Sequence, residues 1–213
     1  MNYKPARKIK ARRGRVYRGK EPFLKTKQMV HWEGLLELHY IRLADYDLQI
    51  DEIYYQPKCI RYFYKGKVRK YYPDFKLITK NKQIFLVEVK PKSKIHKEEN
   101  QVKFQVGREY CVQMGWTYIV VTEDEIRPGY FQRNLMNLRR YATYSYDEKT
   151  ASYILKKIQE VGPVRIIDFI NHCPDIEESD YYTTIYQLIY KQKVEADLIT
   201  DKLTDESVIR GVF

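Results

Sequence analysis

KVRKYYPDFKLITKNKQIFLVEVKPKSK, residues 67–94, decides how this chain is read. One β-type run ends near Asp74, and the next, QIFLVEVK, carries Glu88 and Lys90. Strand side chains alternate between faces, so Glu88 and Lys90 point to one side and Val89 into the opposite layer. A hairpin through Asn81-Lys82 folds the second run back beside the first. Two carboxylates and one ammonium then converge. A carboxylate within IFLVEV is costly unless it is paired or bound to a cation. The set suits a hard divalent cation with oxygen ligands, Mg²⁺ with Mn²⁺ as a substitute, and hydrolysis of a phosphodiester. Asp74 and Glu88 supply the anionic oxygens, and the Val89 carbonyl can add another. Lys90 orients the attacking water or stabilises charge on the phosphorane.

The surrounding sequence predicts an α/β sandwich. WEGLLELHYIRLADYD has a helical apolar stripe, with Glu33 and Glu37 one turn apart on it. IDEIYYQP reads as a strand stopping at Pro57, and CIRYFYKGKVRKYYPDF as a hairpin turning at Lys65-Gly66. Arg61, Lys65, Lys67, Arg69 and Lys70 make that hairpin basic enough to lie along a nucleic-acid backbone. A helix from Glu98 to Met114 is stopped by Gly115. WTYIVV is continuously apolar, as for a buried strand of a mixed sheet. Thr122 and Glu125 form a capping box for a further helix.

Charge divides the 213 residues unevenly. The net +11 splits into +10 over residues 1–30, +6 over 31–146 and −5 over 147–213. The first segment is expected as a basic, disordered arm that grips DNA phosphates, with Arg12, Arg13, Arg15 and Arg18 as contacts; Lys92 and Lys94 would continue the DNA path. Cys59, Cys111 and Cys173 are too far apart in sequence for a zinc pattern or a disulfide framework, which fits a reducing cytoplasm. No apolar run approaches the ~20 residues needed to span a bilayer.

Residues 147–213 read as three helices, EKTASYILKKIQEVG, VRIIDFINHC and ESDYYTTIYQLIYKQKV, followed by two short strands, VEADLI and SVIRGV. This is a winged-helix pattern. Its third helix opens with Glu177, Glu178 and Asp180, whereas a DNA-reading helix opens with basic or amide side chains. A protein-docking role is therefore expected for 147–213.

Pro73-Asp74 with Glu88-Val89-Lys90 resembles the PD-(D/E)-x-K signature of restriction-endonuclease-like nucleases. Leu36-Glu37-Leu38 lies nineteen residues before Gln56-Pro57, and Tyr110-Cys111, Gly115 and Val121-Thr122-Glu123 follow the strand. This layout, over most of residues 20–140, resembles TnsA, the endonuclease subunit of heteromeric cut-and-paste transposases. The resemblance implies a mixed-sheet nuclease domain over 31–146, with Asp74 and Glu88 as metal-binding acids, Lys90 as the family lysine and Glu37 as the helical glutamate, Glu33 being its rival. Some family members carry Gln in place of Glu88. The resemblance also implies nicking of the 5′ ends of a mobile element in duplex DNA, a DDE-type transposase subunit that joins the 3′ ends, and an AAA+ regulator docked on 147–213. A stand-alone restriction- or phage-type nuclease and a non-catalytic DNA-bound adaptor are the alternatives.

Overall fold

Residues 19–30, expected within a disordered arm, instead join residues 31 and 32 in an antiparallel hairpin of β1 (Gly19–Phe23) and β2 (Gln28–Trp32). The computed structural model describes residues 3–7 and 17–212. Arg12, Arg13 and Arg15 lie outside that range. The hairpin forms because Phe23 and Val30 insert into the core, and because the buried Asp45 carboxylate accepts the backbone N–H groups of Leu24 and Lys25 at the turn (3.0 and 3.2 Å). Residues 3–7 are also held. The Tyr3 hydroxyl donates to the Tyr55 carbonyl (2.8 Å) and the Ala6 N–H to the Gln56 carbonyl (2.9 Å).

Next come α1 (Leu35–Tyr46), β3 (Ile50–Tyr55), β4 (Ile60–Tyr64), β5 (Lys67–Tyr71), β6 (Phe75–Thr79), β7 (Ile84–Val89), α2 (Glu98–Met114), β8 (Thr117–Val121) and α3 (Glu123–Ile126). The main sheet has the order β3-β6-β7-β8, and β7 and β8 run parallel. A parallel pair needs a long crossover, which α2 provides. Gly115 ends α2 at φ +67, a left-handed conformation that glycine adopts without penalty. β4 and β5 form a separate ribbon turning at Lys65 and Gly66, both with positive φ, the mark of a type I′ turn.

Two findings correct the sequence expectations. Asp74 does not end a strand; it stands just ahead of β6, because Pro73 lacks an N–H for a ladder and breaks the chain between β5 and β6. WTYIVV, expected in a buried position, supplies the outermost strand of the sheet. It is apolar because both its faces are covered. Tyr118 joins Leu86, Ile60, Tyr71 and Cys111 on the α2 side, while Ile119 and Val121 join Val87, Val89, Phe75 and Ile41 on the α1 side.

The chain divides into two compact units, 1–126 and 127–213, where the sequence suggests a boundary after 146. The second unit begins early because α4 (Phe131–Ala142) buries Phe131, Leu135 and Leu138 and packs on α7 (Glu178–Tyr190). Asn134 of α4 also braces the loop before the last strand. Its amide donates to the carbonyls of Leu198 (3.0 Å) and Asp201 (2.7 Å), and its oxygen accepts the Leu203 N–H (2.9 Å). The remaining elements are α5 (Glu148–Val161), β9 (Val164–Arg165), α6 (Ile166–Phe169), β10 (Val194–Ala196) and β11 (Val208–Gly211), with sheet order β10-β11-β9. Asp147 caps α5 by accepting the Lys149 and Thr150 N–H groups, both at 3.1 Å. All three cysteines are free thiols, and among the described residues no helix is long and apolar enough to cross a membrane.

Gly107 lets α2 lie against Tyr118. A Cβ there would stand 2.2 Å from the Tyr118 ring. Gly107→Ala is expected to destabilise the first unit by about 1–3 kcal/mol in urea denaturation, the range for overpacking a filled core.

Candidate active site

The registers of two antiparallel ladders build the site. Phe75 pairs with Val87 and Tyr55 with Phe75, so one step further along the ladders sets Asp74 opposite Glu88 and Gln56 opposite Asp74. Two hydrogen bonds lock this level of the sheet. The Val89 N–H donates to Asp74 Oδ2 (2.8 Å), and the Gln56 N–H donates to the Asp74 carbonyl (2.7 Å). Gln56 is buried at φ +42, an uncommon conformation for a residue with a side chain, at the point where β3 ends.

Glu88 is 3% exposed. Both its oxygens have donors: Lys90 Nζ lies 2.7 Å from Oε1, and the Tyr71 hydroxyl donates to Oε2 at 2.8 Å. The hydroxyls of Tyr71 and Tyr118 are 2.8 Å apart. Since the Tyr71 proton points to Glu88, its oxygen accepts from Tyr118. Burial, then the Glu88 charge, pushes both phenols above their usual range. Burial works against the Lys90 ammonium, but the Glu88 and Asp74 charges outweigh it and hold its pKa above the ordinary value.

The acids outnumber the base. Burial pushes the Asp74 carboxyl well above the usual range, and the charges of Glu88 and Glu37 push it further; Lys90 and the Val89 N–H offset only part of this. Glu37, in the first turn of α1, is raised to about 7 by burial and by the charges of Glu33 and Glu88, although the Glu33 N–H donates to its Oε2 at 2.7 Å. Asp74 Oδ1 has no hydrogen-bond donor among the described residues. In the same set, no group of three or more His, Cys, Asp or Glu is arranged to hold a metal ion by itself.

The two helical glutamates have different neighbours. Glu33 is tied to Arg7, to Arg18 (3.3 Å) and to the Gln56 amide (3.2 Å). Glu37 instead shares the electrostatic field of Asp74, Glu88 and Lys90. Arg18, expected on DNA, is therefore paired with Glu33. Lys92 pairs with Asp124 (2.5 Å), and Lys94 is exposed on the 3₁₀ turn after β7. Tyr71, Tyr118 and Arg7 escaped the sequence reading. β5 makes no ladder with β7, so no spacing rule links Tyr71 to Glu88. An apolar cavity of about 470 Å³, lined by Tyr40, Leu43, Ile50, Leu77, Phe85 and Ile119 among others, includes none of the acids and has no part in this chemistry.

Tyr71→Phe removes a donor from a buried carboxylate. The expected cost is about 1–3 kcal/mol of stability in chemical denaturation. Tyr118→Phe, which leaves the Glu88 contact in place, is expected to cost less.

Residues 47–123 match a family model described as TnsA-like endonuclease N terminal. The match includes Asp74, Glu88 and Lys90, whereas Glu37 precedes it. A comparison with curated proteins gave no match. The segment that builds β3 through β8 around the Asp74–Glu88 pair is thus similar to TnsA-like endonuclease N-terminal domains.

Proposed function

We propose that this protein is a metal-dependent DNA endonuclease that hydrolyses phosphodiester bonds at Asp74, Glu88, Lys90 and Glu37. The observation that carries this reading is Asp74 standing opposite Glu88 with the Lys90 ammonium against the Glu88 carboxylate. The donor set fits a divalent cation. Three carboxylates share one lysine, and Asp74 keeps an oxygen without a donor among the described residues. Mg²⁺ commonly binds through one or two carboxylates and keeps waters elsewhere, so a set of this size suffices. Asp74 and Glu88 would hold the ion, the Val89 carbonyl is a further candidate ligand, and Mn²⁺ would substitute. When bound, the ion supplies Lewis-acid activation of the attacking water and neutralises phosphoryl charge. Lys90 presents a fixed positive charge to the phosphoryl oxygens. Glu37, poised near neutral pH, can take or return a proton beside them.

The domain match supports a wider reading, in which the chain nicks the 5′ ends of a mobile element while a DDE-type transposase subunit acts on the 3′ ends. The second unit would serve as a winged-helix-like docking module, with α5, α6 and α7 as its helices and the β10–β11 loop as its wing. Glu178 and Asp180 in the first turn of α7 favour a protein partner, an AAA+ regulator, over DNA.

Three outcomes test these readings. Lys90→Ala should slow duplex nicking by about 10²–10³-fold, the range for losing one preorganised positive donor. Asp74→Ala should abolish Mg²⁺-dependent nicking and Mg²⁺ binding by calorimetry. Intact Mg²⁺ binding by that variant would refute the site. The pH response has a definite sign. A carboxyl whose folded pKa is raised from 4.5 to about 7 keeps its proton in the folded chain while the unfolded chain loses it. The metal-free protein should therefore lose stability as pH rises across that window. Mg²⁺ relieves the repulsion, so its stabilisation in thermal melts should be larger at pH 8 than at pH 6.

A further inference from the structure

The β4–β5 ribbon has two unlike faces. Inward, Ile60 and Tyr71 are buried, Tyr62 packs beside them, and Tyr64 reaches Glu98 of α2 (2.8 Å). Outward, the register pairs Phe63 with Val68 and Arg61 with Lys70 on a common face. Phe63 is 74% exposed and Val68 70%. Phenylalanine at such exposure opposite valine is an apolar couple that water solvates poorly. Arg61 and Lys70 stand beside it on the same face, while Lys67 and Arg69 pair with Tyr64 and Tyr62 and belong to the other. None of these four cations has an ion pair among the described residues, and the strand residues 60–64 and 67–71 contain no acid. The ribbon leads directly into the site, since Tyr71, its last residue, donates to Glu88.

We propose that this outward face is a duplex-DNA grip beside the cleavage site. Arg61 and Lys70 take backbone phosphates, and the Phe63–Val68 couple seats in a groove against sugars and bases. Charge selects the partner. Two cations without ion pairs among the described residues, beside an apolar couple on strands that contain no acid, complement a polyanion with apolar groove walls, whereas a protein partner would need a matching acidic rim. Two-stranded ribbons have the width to enter a DNA groove, and apolar wedges on DNA-binding proteins press against base steps. Tyr71, the last residue of β5, ties the ribbon that carries this grip to the Glu88 carboxylate. The inference rests on the endonuclease reading and adds the element that holds the substrate.

Equilibrium binding of the full-length chain to a fluorescent duplex in EDTA, across a salt series, tests it. Arg61→Ala/Lys70→Ala should loosen Kd about tenfold and reduce the salt slope by about 2, near 0.9 for each lost phosphate contact. Phe63→Ala should loosen Kd about fivefold or more with the salt slope unchanged, as for loss of an apolar contact. All these side chains are exposed, and circular dichroism checks that the variants fold. Wild-type binding retained at full strength by both variants would overturn this inference alone. Loss of binding to a transposase subunit with DNA affinity unaltered would also overturn it and assign the face to protein. A wild-type chain that neither binds nor nicks duplex DNA would overturn the endonuclease reading as well.

Discussion

The pairing of β6 with β7 is the constraint on which the first unit depends. Antiparallel residues share a fixed register sum, so fixing Phe75 against Val87 also fixes Asp74 against Glu88. A slip of one residue would turn Val87 and Val89 out of the α1 face and move Glu88 into it. The hydrophobic effect thus enforces the site. Val87 is fully buried and Val89 nearly so among Phe75, Ile41 and Val121, and each such side chain contributes about 1.5–3 kcal/mol through burial. The same alternation places Glu88 and Lys90 on the other side, where the tyrosine pair waits.

That placement creates an electrostatic debt. Glu88 is buried but fully supplied with donors, so its charge is tolerated. Asp74 and Glu37 are not, and their pKa values rise because burial and their neighbours oppose ionisation. A fold selected for stability alone would put apolar residues or more cations here. Raised carboxyls clustered beside a lysine are a common signature of catalytic positions. The tension between a well-packed β7 and an unbalanced acid cluster is what supports reading the cluster as chemistry.

Much of this was legible in the sequence, for identifiable reasons. The α2 boundaries followed from its spacing and from Gly115, and the two hairpin turns from Lys65-Gly66 and Asn81-Lys82. Glu88 stood out because an acid interrupted an apolar run. What could not be read depended on contacts between segments distant in sequence. Tyr71 reaches Glu88 across a gap between separate sheets, which no periodicity encodes. The β1–β2 hairpin was hidden by its eleven-cation surroundings, because charge density describes the surface of residues 1–30 while Phe23, Val30 and the remote Asp45 decide their fold. The unit boundary failed similarly. The apolar stripe of α4 shows that it packs, but not that its partner is α7.

The two glutamates of the α1 entry show how one turn of helix separates structural from chemical roles. Glu33 precedes the helix and gathers Arg7, Arg18 and the Gln56 amide, so segments on both sides of residues 8–16 meet at one carboxylate. Gln56 also hydrogen-bonds to Asp74 through its backbone N–H and to Ala6 through its carbonyl. Glu33 and Gln56 together therefore fasten the N-terminal segment to the level of the sheet that carries the acids. Glu37 lies one turn later, held by the Glu33 N–H, and among the described residues Lys90 is the cation whose charge offsets its own. Balancing Glu33 with two guanidiniums leaves Glu37 as the helical acid whose charge is uncompensated. The charge deficit thus falls on Glu37 and Asp74, beside the buried Glu88–Lys90 pair.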